Sequence, residues 1–408
     1  MIYRNIYFKI LLIILATVGI IRIAIILPSR SNQNDFAHYY ISSKLLLQGE
    51  NPYINYLAPQ YEAYGFVFEE RIHHASNPPT LIWLFSPLAR LTPGRAFLCW
   101  AIIQVISLIA ILVFLRKLLN NRISNEAWWV ICALIIIYSP VYYNFYYSQV
   151  QLLLLTFVLG AYLLQKSGRH HFSLFTITMT GMIKLFPLVL VPWFIWRADK
   201  KIWRRGLYAL EALLICCVIF FLTGPKLWVD FLQYGTKVIN ENIVNWSFNY
   251  SLPSFIINTA YASHDFHVSK DLGTLWMAIS TATGLAIIIL SYVITFLNRS
   301  DLDIEFSILL ISMIAGSITA WGHYLVFLIF PLTIWFVEIS HKGDNGRNFF
   351  YGIILFSMIQ VGVGNLLYFN SILFNSLINY IPLYAMLILL TLLIRELMIN
   401  RSLQKYIG

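Results

Sequence analysis

Long apolar runs constrain the fold of this chain more than any other feature of its sequence. They lie at about residues 10–28, 95–115, 126–143, 149–165, 207–223, 272–297, 304–321, 324–339, 348–369 and 379–399. A helix of about 20 apolar residues crosses the roughly 30 Å hydrocarbon core of a bilayer. Because lipid offers no hydrogen-bond partners, a spanning segment of this length must pair its backbone groups internally, as a helix does. The sequence therefore predicts an all-α polytopic membrane protein.

Composition agrees with this fold class. Hydrophobic residues make up 59% of the 408 residues and charged residues only 11%, whereas about one-quarter of a soluble domain is charged. The net charge of +10 would suggest nucleic acid as a partner of a soluble chain, but here Lys and Arg cluster in short segments between the apolar runs. This clustering is typical of cytoplasmic loops. We therefore expect membrane lipids, and no nucleic acid, as partners.

Residues 172–196 lie between two basic segments, "KSGRHH" and "RADKKIWRR". A single crossing would place one of these segments outside, against the preference of Lys and Arg for the cytoplasm. A hairpin of two short helices, broken around Gly181 and Pro187, keeps both inside. With this hairpin both termini are cytoplasmic, and the long segments 29–80 and 224–271 lie outside. We expect one integral membrane domain over residues 1–408 with these two outer loops.

The first outer segment contains "NDFAHYYISSKLLLQGENPY", in which Asp35 follows closely on the first apolar run. An acid near the membrane surface can take a proton from a hydroxyl group or bind a cation. It can equally cap a short helix over "FAHYYISSKLLLQG", which would end at Gly49. Spacing alone leaves both interpretations open.

Lys184 lies in the middle of the hydrophobic segment "GMIKLFPLVLVP". A charged side chain at that depth costs a few kcal/mol unless it is paired or reaches water. A phosphate group is a natural partner, because a lysine and the ends of broken helices together form an anion site. The alternative is a lysine that snorkels to the interface.

Three further segments carry polar side chains next to apolar runs. Gln149 lies where a helix enters from the outer side, and it can bond a ligand or a neighbouring helix. His73 and His74 precede a proline-initiated apolar stretch, and we favour loop residues over metal ligands because no acid has ligand spacing. His323 lies at an outer turn, where it can meet substrate or belong to an interfacial aromatic belt.

Six segments of the chain, taken in order, resemble a known family. They are "NDFAHYYISSKLLLQGENPY", "NPPTLIWLFSPLARL", "YSQVQLLLLTFVLGAYLL", "MIKLFPLVLVP", "NWSFNYSLPSFI" and "SITAWGHYLVFLIFP". In this order they are similar to glycosyltransferase family 87, within the GT-C superfamily of polyprenol-phosphate-sugar-dependent enzymes. The resemblance covers roughly residues 30–335.

The resemblance implies a GT-C-type bundle of about 10–12 transmembrane helices whose outer loops carry short interfacial helices. It implies an enzyme that takes a sugar, usually mannose, from a polyprenyl-phosphate donor and transfers it to a glycan or glycolipid acceptor with inversion. The acid in the first outer loop would be the general base, which is Asp35 here. Many members of the superfamily have a second acid in this loop, whereas Phe36 and Ala37 follow Asp35.

Further roles follow from this reaction. The departing phosphate needs positive charge near the interface, for which we propose Lys184, His323 and Arg71. A lipid phosphate is already a good leaving group, so no cofactor or divalent metal is required in principle, and we assign no metal ligands. The expected substrate contacts are polar and aromatic residues of the outer segments. They are His38, Tyr39, Tyr53, Asn77, Gln149, Asn245, Trp321 and Tyr324.

The predicted location is the plasma membrane, with several crossings and an active site on the outer face. A transporter or a flippase of a lipid-linked sugar or another anionic substrate is the main alternative, because broken helices and an intramembrane charge occur in transporters too. Against it stand the lack of a detectable inverted repeat and the concentration of polar residues in the outer segments. A purely structural membrane protein is a third possibility.

Overall fold

A computed structural model of the chain describes residues 6–29, 35–67, 74–119, 122–235, 249–263, 270–341, 345–360 and 377–407. These residues form helices and their connections, and the β-structure among them is one isolated antiparallel bridge between Asn249 and Trp321. The chain divides into two compact units. The first comprises Met1–Ile137 with Val141–Asn242, and the second comprises Tyr138–Pro140 with Ile243–Gly408. The predicted all-α fold is confirmed.

The helices follow the apolar runs of the sequence. Up to residue 230 they are α1 (Ile6–Ser29), α2 (Asp35–Leu47), α3 (Ala58–Ala63), α4 (Pro79–Phe85), α5 (Pro93–Leu119), α6 (Asn125–Ile137), α7 (Ser139–Tyr146), α8 (Gln151–Lys166), α9 (His170–Ile183), α10 (Val191–Ala198), α11 (Ile202–Thr223) and α12 (Pro225–Asp230). The second unit contains α13 (Leu252–Ser263), α14 (Lys270–Leu297), α15 (Leu302–Gly316), α16 (Ile329–His341), α17 (Asn345–Met358) and α18 (Ile381–Ile407). The 3₁₀ segments Leu88–Arg90, Phe186–Leu190 and Gly322–Leu328 connect some of them.

Among the described residues, five helical segments are long and apolar enough to cross a membrane. They are Lys9–Ile26, Pro93–Leu119, Ile202–Thr223, Leu275–Leu297 and Ile381–Ser402. Helices α6 and α7 are bent by 43° relative to each other, and together they are long and apolar enough to form one broken span. Other apolar runs form shorter helices, such as α8. Large apolar side chains along α11 are exposed, Phe221 and Leu222 among them, as expected of a helix that faces lipid. The chain is a polytopic membrane protein.

The predicted hairpin over residues 172–196 forms at the expected break. Helix α9 ends at Ile183, Lys184 has extended backbone (φ −147°, ψ 120°), and the 3₁₀ segment Phe186–Leu190 leads into α10. A Cβ atom on Gly181 would lie 2.4 Å from Cδ2 of Leu188, which is far inside van der Waals contact. Glycine at position 181 therefore lets the returning segment pack directly against α9.

Helix α2 begins at Asp35 and ends where the sequence predicts. Gly49 has a φ of +80°, and the Glu50 amide donates to the Leu45 carbonyl at 2.9 Å, as in a Schellman motif. Nearly all of α2 is buried, and its Tyr39 ring lies 4.9 Å from the Phe85 ring of α4. The helix is thus held inside the first unit, and Asp35 starts a fixed element instead of a loose loop.

In the second unit, Asn249 joins two segments that the sequence predicts to be on the outer side. Its Nδ2 donates to the Ile318 carbonyl at 3.0 Å, and its Oδ1 accepts from the Ala320 amide at 2.7 Å. The Tyr250 amide also donates to the Ala320 carbonyl at 2.8 Å. The chain around "NYS" therefore pairs with the turn "ITAW" before the 3₁₀ segment Gly322–Leu328.

Candidate functional site

Helix α2 presents three of the predicted site residues. Asp35, His38 and Tyr39 are three and four positions apart, so their side chains share one face of the helix. His38 and Tyr39 are buried, at 3% and 2% exposure, while Asp35 at the first turn is partly exposed. The only carboxylate of α2 thus keeps access to its surroundings while the residues behind it are enclosed.

The Asp35 carboxylate is held by an amide from a distant part of the chain. Gln149 Nε2 donates a hydrogen bond to Asp35 Oδ2. The other end of the same amide, Gln149 Oε1, accepts from the Tyr39 hydroxyl at 2.8 Å. The chain Tyr39–Gln149–Asp35 orients the carboxylate through a neutral donor.

The turn before Gln149 is strained. Ser148 has a φ of +50°, a left-handed conformation that costs a residue other than glycine roughly 1–2 kcal/mol. The Gln149 amide donates to the Asn144 carbonyl at 2.8 Å and the Ser148 amide to the Phe145 carbonyl at 3.2 Å. These bonds form a Schellman end to α7, with serine where glycine is usual. The turn directs the chain so that Gln149 reaches α2.

Two residues of α5 hold this strained turn in place. Trp100 Nε1 donates to the Ser148 carbonyl at 2.9 Å, and Gln104 Nε2 donates to the Gln149 carbonyl at 2.8 Å. Both side chains are buried. The sequence predictions missed them, although Gln104 is the one amide side chain in an otherwise apolar span, which is a recognisable signal of a polar contact between helices.

Lys184 does not extend along the lipid-facing surface but donates inward. Its Nζ donates to Asn77 Oδ1 at 2.8 Å, and the Asn77 carbonyl accepts from the Tyr53 hydroxyl at 2.6 Å. The Asn77 amide satisfies one donor of the ammonium group without neutralising it. Asp35 lies near enough for its charge to act on Lys184. The snorkelling alternative is therefore not needed to explain how this lysine is accommodated.

His38 is buried near Lys184. Its Nε2 accepts from the Ser76 amide at 3.3 Å, so the proton of the neutral ring is on Nδ1. Burial, together with the positive charge of Lys184, lowers the pKa of His38 to about 4. The ring is consequently uncharged at neutral pH.

The first unit therefore brings together most of the predicted site residues that the structure describes there. They are Asp35, His38, Tyr39, Tyr53, Asn77, Gln149 and Lys184. They come from α2, from the segments before α3 and α4, from the turn before α8 and from the α9–α10 hairpin. We call this set the Asp35 cluster. A carboxylate, a cation and neutral donors converge in it, as acid–base chemistry on an anionic substrate requires.

The second unit contains Trp321, His323 and Tyr324. The Tyr324 amide donates to the Trp321 carbonyl at 2.7 Å, and the rings of His323 and Tyr324 lie 5.0 Å apart. His323 is 8% exposed and Tyr324 5%, so these side chains are more enclosed than an outer turn suggests. Their roles in substrate binding stay predictions.

Some predicted residues fall outside the described part of the chain. Arg71, His73 and Asn245 belong to this group. His74 is described, and its Nδ1 lies 3.1 Å from the Asn55 carbonyl oxygen. Within the described ranges, no group of three or more His, Cys, Asp or Glu side chains is arranged to hold a metal ion.

Comparison with known families supplies the class of activity. The sequence model of glycosyltransferase family 87 matches residues 76–331. No curated protein matches the chain. The matched region includes Asn77, Gln149 and Lys184, whereas Asp35 precedes it. Asp35 is connected to the matched region by its hydrogen bond from Gln149.

Proposed function

Since the chain belongs to glycosyltransferase family 87, we propose that it transfers a sugar, mannose above all, from a polyprenyl-phosphate donor to a lipid-linked or cell-envelope glycan. Asp35 acts as the general base and the anomeric configuration of the sugar is inverted. The active site faces the outer side of the plasma membrane. One observation carries this proposal, namely that Gln149 orients the Asp35 carboxylate in the same cluster that holds the Lys184 ammonium.

The general-base role follows from how Asp35 is held. A carboxylate fixed in this way can accept the proton of an acceptor hydroxyl as that oxygen attacks the anomeric carbon. The new carbon–oxygen bond forms on one face of the sugar while the bond to the phosphate oxygen breaks on the other. A single displacement of this kind inverts the anomeric centre, and the electron pair of the broken bond leaves with the lipid phosphate.

Lys184 suits the departing phosphate. As the sugar–phosphate bond breaks, negative charge grows on the phosphate oxygens, and a cation placed there stabilises the transition state more than the ground state. The Asn77 side chain accepts a hydrogen bond from the Lys184 ammonium without neutralising it, and an incoming phosphate would interact with this cation as Asp35 does. The neutral His38 ring adds no second positive charge, so Lys184 is the cation that the cluster offers to a phosphate.

A lipid-linked donor suits the surroundings of this cluster. Helix α11 exposes Leu213, Phe221 and Leu222, and such a surface is stable only against lipid. Helix α4 contacts α11 through Trp83, whose Nε1 donates to the Thr223 carbonyl at 2.9 Å. The elements around Asp35 are thus built onto a lipid-facing helix, where a polyprenyl chain can reach them.

A transfer assay tests the proposed function directly. Membranes that contain the chain are offered radiolabelled polyprenyl-phosphate sugars one at a time, and the lipid and glycan products are analysed. Asp35→Asn should abolish transfer while the protein level stays normal. Glu62→Gln removes an exposed acid of the same outer segment and should leave transfer unchanged. Normal turnover by Asp35→Asn would refute the general-base role of Asp35. If no polyprenyl-phosphate sugar supports transfer, the proposed donor class is wrong.

Labelling of single cysteines tests the orientation. A cysteine at the exposed position Glu62 should react with a membrane-impermeant maleimide in intact cells, whereas one at the exposed position Lys200 should react only after the cells are opened. Because a lipid-linked donor on the outer face cannot be reached from the cytoplasm, the reverse pattern would rule out the proposed location of the site.

A further inference from the structure

Four helix ends of the first unit lie at the loops 167–169 and 199–201. The start of α9 contacts α11, where His171 Nδ1 lies 2.7 Å from Glu211 Oε2 and the His171 ring lies 4.9 Å from that of Tyr208. The end of α10 also contacts α11, where the Arg205 guanidinium lies 3.9 Å from the Trp196 ring centroid. Residues from both loops are thereby brought onto one surface.

This surface carries a large excess of positive charge. Its basic residues, which we call the basic cluster, are Lys166, Arg169, Arg197, Lys200, Lys201, Arg204 and Arg205. Its acids are Asp199 and Glu211, and each is already engaged, Asp199 by Arg204 at 3.0 Å and Glu211 by His171. Arg169, Lys200 and Lys201 are exposed and make none of the ion pairs found in the described part of the chain.

The local sequence places basic residues at the N-terminal ends of two helices, where positive charge is unfavourable. Arg169 is the N-cap of α9 and Lys201 that of α11. Neither helix start has a side-chain cap or an acidic residue in its first turn. Helix starts normally favour Ser, Thr, Asp or Asn and acidic first turns, because unpaired amides give this end a positive partial charge. At the start of α11 the Asp199 carboxylate accepts from the Lys201 backbone amide at 2.8 Å, whereas the start of α9 has no such acid, so an external anion would compensate for the positive charge there.

Apolar side chains beside the basic cluster indicate what kind of anion fits. Phe172, Ile202, Trp203 and Leu207 are 68%, 74%, 59% and 56% exposed. In a membrane protein such side chains face lipid, and tryptophan favours the headgroup level. Basic residues directly next to a lipid-facing apolar surface lie at the depth of phospholipid headgroups. A soluble anion would contact only the basic residues, whereas a phospholipid contacts the basic residues with its headgroup and the apolar side chains with its acyl chains.

We propose that the basic cluster binds the headgroup of an anionic phospholipid. Arg169, Lys200 and Lys201 contact the phosphate, and the acyl chains lie along Ile202 and Trp203. Charge complementarity selects this ligand over zwitterionic lipids, and the adjoining apolar surface selects it over a soluble anion. The proposal concerns a surface away from the transfer chemistry, so it does not depend on the identity of the sugar donor.

Lipid titration followed by native mass spectrometry tests this proposal on the full chain in detergent. The probes are phosphatidylglycerol and phosphatidylcholine with the same acyl chains. The wild-type protein should bind phosphatidylglycerol more tightly. Each Lys or Arg near an anionic surface changes affinity by about fivefold, so Arg169→Gln/Lys200→Gln/Lys201→Gln should weaken this binding on the order of 100-fold.

A matched control removes the same amount of charge elsewhere. Arg90→Gln/Arg95→Gln/Lys226→Gln changes three exposed basic residues outside the basic cluster and should keep phosphatidylglycerol affinity within about twofold of wild type. If the triple variant of the basic cluster unfolds, the single variants Lys200→Gln and Lys201→Gln replace it in the test. Each should weaken phosphatidylglycerol binding about fivefold.

Three results would overturn the proposal. The first is equal phosphatidylglycerol affinity in the two triple variants, and the second is no preference of the wild-type protein over phosphatidylcholine. The third is displacement of the lipid by an equal concentration of soluble glycerol phosphate, which would make the surface a site for a free anion. Sugar-transfer activity enters none of these measurements, so they do not depend on the proposed reaction.

Discussion

The contact between Gln149 and Asp35 leads to a quantitative prediction for the variant Gln149→Met. Methionine has a similar volume, so it fills the buried position without a cavity, but it loses both polar atoms of the amide. The lost donor served a carboxylate, and a hydrogen bond to a charged group contributes about 1.5–3 kcal/mol. If this contribution acts in the transition state, kcat should fall by about 10- to 150-fold.

Tyr39→Phe provides a graded comparison. It removes only the hydroxyl that donates to Gln149 Oε1 at 2.8 Å, which is a neutral hydrogen bond of about 0.5–1.5 kcal/mol. The expected fall in kcat is therefore smaller, about 2- to 10-fold. Because the hydroxyl acts on Asp35 only through the amide, adding Tyr39→Phe to Gln149→Met should cause little further loss.

Steady-state transfer kinetics in reconstituted membranes measure these effects, with the thermal unfolding midpoint as a control for folding. The Michaelis constant for the lipid donor should change less than kcat, because the amide contacts Asp35 and not Lys184. A Gln149→Met protein with wild-type kcat and normal stability would refute the positioning role. So would fully additive losses in the double variant, because they would mean that Tyr39 acts independently of the amide.

Three other predictions concern pH, packing and donor binding. The pKa of His38 falls from 6.5 to about 4 on folding, so its contribution to stability is complete above pH 6.5 and is lost between that pH and 4. Replacement by Gln should flatten the pH dependence of the unfolding midpoint across this window, and an unchanged slope would contradict it. Gly181→Val should destabilise by about 1–3 kcal/mol through overpacking, whereas Gly206→Val, with open space around its Cβ position, should cost less in the same melts. Lys184→Ala should raise the Michaelis constant for the lipid donor about tenfold or more, unlike Lys226→Ala, and an unchanged constant would exclude the phosphate contact.

Local features of the chain could be predicted because they depend on neighbours in sequence. The apolar runs gave the helices, and Gly49 gave the end of α2. Basic segments on both sides of residues 172–196 predicted a hairpin, and the break occurs near Gly181 and Pro187 as expected. Asp35 and Lys184 stood out because each is a charged residue in a setting where charge is costly.

Contacts within the Asp35 cluster could not be predicted in the same way. Gln149 lies 114 residues from Asp35, and Asn77 lies 107 residues from Lys184. Such pairs depend on how helices pack side by side, and many packings satisfy the same apolar pattern. The left-handed backbone of Ser148 could not be predicted either, because glycine and not serine is the residue that usually indicates such a conformation.

The sequence by itself determined that this protein is a helical membrane protein, which apolar segments are helical, where α2 ends, and which charged residues need a special environment. These properties follow from local hydrophobicity, backbone geometry and the cost of charge in an apolar medium, all of which act over a few residues. Tertiary structure alone decided that Gln149 binds Asp35 and that Asn77 binds Lys184. It also decided that Gln104 stabilises the turn at Ser148 and Gln149. Those choices arise from packing between elements distant in sequence, where the position of one polar atom depends on the whole arrangement of the surrounding helices.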